Sequence, residues 1–454
     1  MTTLYCARWV MPISSGMIED GAVAVEGARI VGVGVRAALL SKFPEALARD
    51  YGEAAILPGF VNAHSHLELT AMRGYLEDME NDFFGWLRKL TIARLERMTP
   101  DDLYVSAAWG AVEAARAGVT CLGDSSDAAS ASIRALCDVG LRGTVYQEGF
   151  GPDPRLAIHL FAKLREKMYG LREYESALVR AGVSPHSPYT VSARQLELIT
   201  DFAIAEGLPL MMHAAESRAE EQLLREGRGP FAEGLARRGI EWRAPGLSTI
   251  QYLRETGVLA ARPLLAHCIR VDEADIERIR EAGASVAHCP KSNAKLGHGH
   301  APFAAFIEQG LKVGLGSDSV ASNNTCDMLE EARFAALMSR ADARPPGSKR
   351  LTDSRDVLMA ATLGGARALG LEGQTGALAE GLQADLTVVG LDGAHQLPIH
   401  NPAHTLVFAS SGRDVRLTVV AGREVFRDGH VTTVDEARLR ARMHEIKKAV
   451  TSDK

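Results

Sequence analysis

The sequence lacks several features that would place the protein in other common classes. No apolar stretch reaches the ~18 residues that a membrane-spanning helix needs, and the N-terminal segment shows no basic region followed by an apolar one. Lysine and arginine number 51 against 57 acidic residues, so no basic excess indicates a nucleic-acid or anionic-membrane partner. The six cysteines are scattered without a C-x-x-C pair, and we expect them to be reduced. These absences favour a cytoplasmic protein with a small-molecule partner.

The chain is long enough for a large catalytic domain and an accessory one. Its 454 residues exceed the size, about 250–300 residues, at which one hydrophobic core stops growing. Hydrophobic residues make up 46% and charged residues 24%, which is ordinary for globular proteins and excludes global disorder.

Both ends of the chain contain short β-type runs punctuated by glycine. GAVAVEG lies near the start, and ADLTVVG and VRLTVVAGREVF lie near the end. Because chain termini often lie close together, we predict that residues 1–56 and 375–440 form one composite β-sandwich domain. Residues 441–454 are predicted to be a C-terminal tail, and the segment from Ser339 to Asp356 a surface loop between helices.

The middle of the chain, residues 57–374, alternates apolar β-type runs with amphipathic helical stretches. Eight such runs occur: AAILPGFVNAHSH, AGVTCLGD, RGTVYQE, AGVSPHS, LPLMMHA, RPLLAHC, ASVAHCP and KVGLGSD. Eight βα units over roughly 250–300 residues favour an α/β fold of the TIM (β/α)8 barrel type over an open Rossmann sheet. No G-x-G-x-x-G motif follows the first run, which also disfavours the Rossmann sheet.

Polar residues cluster where these runs end. In a barrel these positions share the C-terminal face, where active sites lie. The residues are His64, His66, Asp124, Glu148, His186, His213, His267, His288 and Asp318.

The H-x-H pair, His64 and His66, can reach one ion from a single strand end, because residues i and i+2 of a strand point to the same face. Taken singly, each candidate ligand also has a structural explanation. His64 and His66 could be two unrelated histidines, His213 and His267 half-buried histidines, and Asp318 a helix N-cap. Taken together, the four histidines and Asp318 favour one catalytic metal ion with a position open for water. Imidazoles with one carboxylate suit Zn²⁺, with Fe²⁺ as the alternative, better than Mg²⁺ or Ca²⁺.

Glu216 follows His213 by three residues, in HAAES. If the backbone turns there from strand into helix, the carboxylate lies over the metal without binding it and can carry a proton. The structural alternative is a first-turn glutamate stabilised by the helix dipole.

The strings LPGFVNAHSHLE, MMHAAES, LLAHC and GLGSDS together resemble the amidohydrolase superfamily, in particular its mononuclear deaminases and their chlorohydrolase-like relatives. The resemblance covers nearly the whole chain. It implies that His64, His66, His213 and Asp318 bind the metal, that Glu216 carries the proton, and that His267 orients the water. Asp318 would act both as ligand and as base.

Further strings narrow the substrate. SPHSPYTVS around His186 resembles S-adenosylhomocysteine/5′-methylthioadenosine deaminases, in which that histidine lies over the substrate. HSHLELT, YQEGFG and GPFAEGLARRGIEW are more similar to 6-aminodeoxyfutalosine deaminases of the alternative menaquinone route. The 5′-methylthioadenosine deaminases have an acid before Trp-Leu that holds the ribose hydroxyls, whereas this chain has Gly85 before Trp86; Trp86 itself is expected to contact the substrate. Glu68 or Glu148 could replace that acid at the substrate, or could instead accept a hydrogen bond from a ligand histidine.

The resemblance implies hydrolytic deamination of an adenine-type nucleoside with release of ammonia, and 6-aminodeoxyfutalosine is the first expectation. The alternatives are S-adenosylhomocysteine or 5′-methylthioadenosine, and a chlorohydrolase-like or cyclic-amide hydrolase reaction at the same site. A metal-free interaction protein is disfavoured, because every ligand position is occupied. If the far end of the substrate carries a benzoate, an arginine is expected to bind its carboxylate, and Arg142 and Arg155 are the candidates.

Two further expectations complete the sequence-based picture. The oligomeric state is open, with a homodimer as one option. Six other histidines are expected to be exposed, to lie in loops or in the terminal domain, and to have no catalytic role: His298, His300, His395, His400, His404 and His430.

Overall fold

A computed structural model describes residues 1–341 and 351–451 of the chain. Residues 342–350 of the predicted surface loop and residues 452–454 of the predicted tail lie outside this description. None of the helices within the described ranges combines the length and the apolar character needed to cross a bilayer.

The N-terminal strands lead into the middle of the chain. They are β1 Thr2–Val10, β2 Ile18–Glu26, β3 Arg29–Val35, β4 Leu47–Asp50 and β5 Ala54–Pro58. The first predicted apolar run, AAILPGFVNAHSH, forms two strands: Ala54–Pro58 is β5, and the next strand begins at Phe60.

Each of the eight apolar runs contributes one strand to the middle of the chain. These strands are β6 Phe60–Ser65, β7 Val119–Ser126, β8 Arg142–Gly149, β9 Val179–Pro185, β10 Met211–Ala214, β11 Leu264–His267, β12 Ser285–His288 and β13 Lys312–Leu315. They pair in parallel as two four-stranded sheets, β6-β7-β8-β9 and β10-β11-β12-β13. Single parallel bridges link the two sheets, one between Val183 and Leu210 and one between Ser65 and Asp318.

The C-terminal strands return to the N-terminal ones. They are β14 Leu386–Gly390, β15 Val415–Val420, β16 Arg423–Arg427 and β17 His430–Val431. Antiparallel pairing of β5 with β14 joins both ends of the chain into one nine-stranded sheet. The ends therefore share a sheet, and their arrangement as a two-layer sandwich stays a prediction.

The α-helices of the described residues follow most of the strands. They are α1 Arg36–Lys42, α2 Phe83–Arg97, α3 Pro100–Arg116, α4 Ala129–Val139, α5 Ala157–Leu171, α6 Ala193–Glu206, α7 Arg218–Glu226, α8 Pro230–Arg237, α9 Thr249–Glu255, α10 Glu273–Ala282, α11 Pro290–Lys295, α12 Phe303–Glu308, α13 Val320–Asn323, α14 Met328–Ala341, α15 Ser354–Met359, α16 Gly365–Ala368, α17 Pro402–Phe408 and α18 Glu436–Thr451.

Local signals in the sequence set the helix boundaries. Thr99 and Asp102 form a capping box at the start of α3, in which each side chain accepts a hydrogen bond from the other residue's backbone N–H. Gly207 ends α6 in the left-handed conformation, at φ 64°, which glycine adopts without steric cost.

The C-terminal segment, predicted to be a tail, forms a helix over most of its length. Helix α18 extends to Thr451, and its Ile446 and Val450 are buried in one apolar cluster with Trp86 and Leu90 of α2. Most of the predicted tail is therefore helical and packs against α2.

Candidate functional site

The predicted metal ligands converge at the ends of the parallel strands. His64 lies in β6, His213 in β10 and His267 at the end of β11, while His66 and Asp318 lie just beyond β6 and β13. All five side chains are buried. One ligand atom from each of His64, His213, His267 and Asp318 lies within 4.8 Å of the other three.

His66 completes this group from the other side. Its Nε2 lies 3.2 Å from Nε2 of His213 and 3.5 Å from Oδ1 of Asp318. Nε2 of His64 lies 3.3 Å from the same carboxylate oxygen. These ring nitrogens and the carboxylate oxygen are close enough to one another to bind the same cation.

The protonation states favour metal binding. Burial lowers the pKa of His64, lowers that of His66 to about 3, and holds that of His213 well below its usual value. Burial alone would raise the pKa of Asp318, but the adjacent His64 imidazole holds it well below its usual range. Neutral imidazoles and an ionised carboxylate are the forms that bind a metal ion.

The buried polar atoms of this site need a partner that the described residues do not supply. Both ring nitrogens of His64 and Nε2 of His267 are buried without a hydrogen bond to any described residue. Unpaired buried polar atoms are costly, and a bound cation would satisfy them. Several imidazoles with one carboxylate fit Zn²⁺ or Fe²⁺, so the donor set fits the predicted metal.

The backbone brings β6 and the end of β13 together at this point. The backbone N–H of Asp318 donates to the carbonyl of His64 at 2.9 Å, and Asn62 bonds both the N–H and the hydroxyl of Ser317. Gly316 allows this approach, because a Cβ there would lie 2.9 Å from Cβ of His64. The GLGSDS motif therefore fixes the distance between the two strand ends.

Two of the converging residues have strained backbones. His267 has a φ of 74° and Asp318 a φ of 56°, in the left-handed region that residues with a Cβ rarely adopt. Such strain costs roughly 1–3 kcal/mol and concentrates at functional sites.

Hydrogen bonds behind the ligands orient them. Nδ1 of His213 donates to the carbonyl of His186 at 2.9 Å, and Nδ1 of His267 donates to Oδ1 of Asn293 at 2.8 Å. The Ser292 hydroxyl donates to Oδ2 of Asp318 at 2.6 Å. The sequence did not identify Ser292 and Asn293, because no local pattern indicates that their side chains meet Asp318 and His267.

Glu216 occupies the junction between β10 and α7, as predicted. Its Oε1 lies 3.8 Å from Nε2 of His267, and the hydroxyl of Tyr189 donates to its Oε2 at 3.1 Å. Burial, with the charge of Asp318, raises the pKa of Glu216 to about 8. The carboxyl group therefore holds a proton at neutral pH, as a general acid requires.

A cavity of about 660 Å³ opens onto this group. His66, His213, Glu216, His267 and Asp318 line its inner end. The predicted substrate-contacting residues also line it: His186, Glu68, Glu148 and Trp86. A cavity of this size suits a small molecule of nucleoside dimensions.

The two candidate acids differ in their freedom to meet a substrate. Glu68 is engaged by the Ser126 hydroxyl, by the backbone N–H groups of Asp127 and Ala128, and by Arg94. In contrast, Oε1 of Glu148 is buried without a hydrogen-bond partner among the described residues. Burial raises the pKa of Glu148 well above its usual value.

The side chains of Asp82 and Met79 lie close to the position before Trp86. A Cβ on Gly85 would collide with the carboxylate of Asp82, which accepts the N–H of Gly85 as the N-cap of α2. A side chain at position 85 would therefore require Asp82 and Met79 to move.

The arginines predicted to meet a substrate tail lie elsewhere. Arg142 forms a buried ion pair with Asp385 at 2.7 Å, and the exposed Arg155 pairs with Asp153. Neither lines the cavity, which instead includes Arg94 and Arg238. The sequence could not distinguish these, because each arginine's direction depends on how its helix or strand packs.

Two polar residues at strand ends serve the scaffold. Asp124 accepts hydrogen bonds from the hydroxyl of Ser65 and the N–H of Leu67, and His288 stacks against Phe303. Neither residue lines the cavity.

His298 corrects the expectation for the loop histidines. Its side chain is only 8% exposed, and its Nε2 lies 3.9 Å from Oε1 of Glu216. The neighbouring His300 is exposed, as predicted.

The amidohydrolase family pattern matches residues 55–425 of the chain. The chain belongs to the amidohydrolase family. An imidazolonepropionase-like composite domain pattern from bacteria also matches residues 21–46.

Individual amidohydrolases match along almost the whole length. The chain is 33% identical over 444 residues to a 5-methylthioadenosine/S-adenosylhomocysteine deaminase of Nitratidesulfovibrio vulgaris, covering 96% of this chain and 94% of the relative. The crystal structure of an adenosine deaminase from Xanthomonas campestris with bound zinc superposes with a TM-score of 0.85 at 28% identity, covering 99% and 98% of the two chains.

A further protein of known structure is similar in fold only. The Helicobacter pylori aminofutalosine deaminase superposes with a TM-score of 0.77 at 21% identity, covering 94% of this chain and all of that one. At this identity the likeness establishes the shared fold and leaves the substrate open.

Proposed function

We propose that the protein is a metal-dependent hydrolytic deaminase of an adenine-type nucleoside, with 5′-methylthioadenosine or S-adenosylhomocysteine as the favoured substrate. One observation carries the reaction type: the histidines and the Asp318 carboxylate converge beside the buried Glu216, whose pKa burial raises to about 8, at a cavity of nucleoside size. The alternative substrates are favoured over 6-aminodeoxyfutalosine, because the relative at 33% identity bears their names while the aminofutalosine deaminase is a distant neighbour.

The metal we propose is a single Zn²⁺ ion, with Fe²⁺ as the alternative. His64, His66, His213 and Asp318 would hold it, and His267 would stand beside it. When bound, such an ion acts as a Lewis acid that lowers the pKa of water from 15.7 toward ~7. The zinc in the Xanthomonas campestris structure is consistent with this choice.

The protein's own groups would divide the proton transfers. Glu216 is protonated near neutral pH and would donate to the ring nitrogen beside the amino-bearing carbon. Asp318 is ionised and would accept a proton from the attacking water, which His267 orients. Asp318 would then pass its proton to the amino group, which leaves as ammonia when the C–N bond breaks, and the remaining hydroxyl proton would return to Glu216 as the carbonyl forms.

The substrate would lie between the cavity wall and the ligands. His186 and Trp86 line the cavity near the ligand histidines and would contact the nucleoside. Glu148 is a better candidate than Glu68 for the ribose hydroxyls, because its Oε1 is not already engaged by the described protein groups.

We also propose that the eight parallel strands close into a TIM barrel spanning residues 57–374, beside a composite domain of residues 1–56 and 375–440. The bridges Val183–Leu210 and Ser65–Asp318 support closure, since they join the outer strands of the two four-stranded sheets. A buried cluster containing Val61 and Met211, from different sheets, supports it as well.

A substrate panel tests the proposal. Purified, metal-loaded enzyme is given 5′-methylthioadenosine, S-adenosylhomocysteine, adenosine, 6-aminodeoxyfutalosine, guanine, cytosine and a chlorotriazine, and released ammonia is measured. We expect the highest kcat/KM for one of the first two compounds. Preferred turnover of 6-aminodeoxyfutalosine would overturn the substrate assignment, and turnover of the chlorotriazine without ammonia release would overturn the reaction type.

A further inference from the structure

His298 lies on the loop that follows α11 and turns its side chain inward. The loop residues on either side of it, Gly297 and Gly299, have φ values of 67° and 98°, which residues with a Cβ rarely adopt. The backbone N–H of His298 donates to the carbonyl of Asn293 at 2.9 Å. The sequence GHGH thus forms a fixed turn that carries one imidazole into the interior.

The imidazole of His298 has an apolar support on one side. Its ring lies edge-on to the ring of Phe83, with centroids 4.5 Å apart and an interplanar angle of 84°. Phe83 is the first residue of α2 and lines the cavity. The contact fixes the orientation of the imidazole against the cavity wall.

On its other side the imidazole faces Glu216. Nε2 of His298 is buried, has no hydrogen-bond partner in the described part of the chain, and lies 3.9 Å from Oε1 of Glu216. The other carboxyl oxygen, Oε2, already accepts the hydroxyl of Tyr189. Oε1 accepts no hydrogen bond from the described residues, and the two ring nitrogens beside it are Nε2 of His267 at 3.8 Å and the unpaired Nε2 of His298 at 3.9 Å.

We propose that His298 is a positioning residue, which holds Oε1 of Glu216 toward the substrate by donating Nε2–H to it. Catalytic hydrogen bonds are often long before the substrate binds and shorten in the complex. When Glu216 gives its proton to the substrate ring, the carboxylate formed is a stronger acceptor, so the hydrogen bond from His298 strengthens during the transfer. Because the bond is stronger in the transition state than before it, it raises kcat more than it lowers KM.

The inference rests on the proposed deamination through Glu216, and three variants test it. His298→Phe keeps an aromatic ring against Phe83 but removes the donor. His298→Gln keeps a donor. His300→Phe changes an exposed histidine of the same loop and serves as the matched control.

Steady-state kinetics, metal content and thermal midpoints are measured for each variant, with the nucleoside that the wild type deaminates best. We expect His298→Phe to lower kcat about tenfold or more, with KM changed less than about threefold, since a hydrogen bond to a charged group is worth ~1.5–3 kcal/mol. Metal content stays at the wild-type level, His298→Gln recovers part of kcat, and His300→Phe matches the wild type.

A double variant separates positioning from general damage. In a Glu216→Gln background, adding His298→Phe should cause less than about twofold further loss, because the group that His298 positions is already disabled. Additive losses, an effect confined to KM, or wild-type kcat in His298→Phe would each overturn the inference. If His298→Phe fails to fold, His298→Gln compared with His298→Ala decides it in the same way.

Failure of the inference is distinguishable from failure of the proposed function. If the wild type releases ammonia from a nucleoside but the His298 variants keep full kcat, only the inference is wrong. If no panel compound yields ammonia, the proposed function is wrong and the basis of the inference goes with it.

Discussion

The side-chain oxygen of Asn293 accepts a hydrogen bond from Nδ1 of His267 at 2.8 Å, and both side chains are almost completely buried. Because Oδ1 can only accept, this bond keeps a proton on Nδ1, while Nε2 faces the ligand group. Asn293 thereby selects the tautomer of His267 that the proposed site needs.

Replacing Asn293 with Ala should therefore lower activity without unfolding the protein. We expect a loss of about 10- to 100-fold in kcat/KM or in metal affinity, the usual effect of removing a partner behind a site histidine. Enzyme assays and metal titration measure both. Asn81→Ala, which changes an exposed asparagine, is the control and should behave as the wild type. Full activity and full metal affinity in Asn293→Ala would show that His267 needs no such partner.

Replacing the carboxyl group of Glu216 with an amide should stop catalysis and leave the metal ligands unchanged. Glu216→Gln preserves the size of the side chain, so we expect normal metal content and a loss of at least ~10²-fold in kcat, the low end for a positioned acid or base. Glu221→Gln, on the same strand-to-helix segment but partly exposed, should keep its rate. Normal turnover by Glu216→Gln would remove this residue from the mechanism.

Stripping the metal should abolish activity and weaken the fold. Without a cation, the unpaired nitrogens of His64 stay buried and unsatisfied, so we expect a chelated sample to lose both turnover and several degrees of thermal midpoint. Adding back Zn²⁺ or Fe²⁺ should restore both, and the better of the two identifies the preferred metal. Undiminished turnover by fully demetallated protein would contradict the proposed chemistry.

The ribose assignment predicts a substrate-dependent effect of Glu148. Glu148→Gln should lower kcat/KM about tenfold for a riboside but leave a 2′,3′-dideoxy analogue nearly unchanged, because only the riboside offers hydroxyls to Oε1. Glu68→Gln should instead lower the thermal midpoint, since Glu68 holds the backbone N–H groups of Asp127 and Ala128. Equal losses on both substrates in Glu148→Gln would exclude a ribose contact.

The buried carboxyl of Glu331 predicts a pH-dependent stability. Burial raises its pKa from 4.5 to about 8, so the folded protein keeps a proton that the unfolded chain has lost. This group therefore destabilises the fold increasingly as pH rises from about 4.5 to about 8. The thermal midpoint of Glu331→Gln, relative to the wild type, should rise across this window and level off above it. Parallel midpoint curves for the two proteins would contradict this pKa shift.

The sequence by itself determined the strand ends and the residues they carry. Apolar runs ending in His64, His213, His267 and Asp318 predicted both the βα repeat and the ligand types, because burial patterns and ligand chemistry are local properties. The β-branched runs at both ends likewise predicted that the termini would pair, and β5 and β14 do so.

Only the tertiary structure decided which distant side chains meet. The inward turn of His298, the bond between Asn293 and His267, and the burial of Arg142 against Asp385 depend on how separate segments pack. The same holds for Glu148 and Glu68, which are both acids near strand ends but differ in the partners that surround them. Sequence spacing fixes the side-chain type and its local direction, whereas partners far along the chain are fixed only when the whole core has formed.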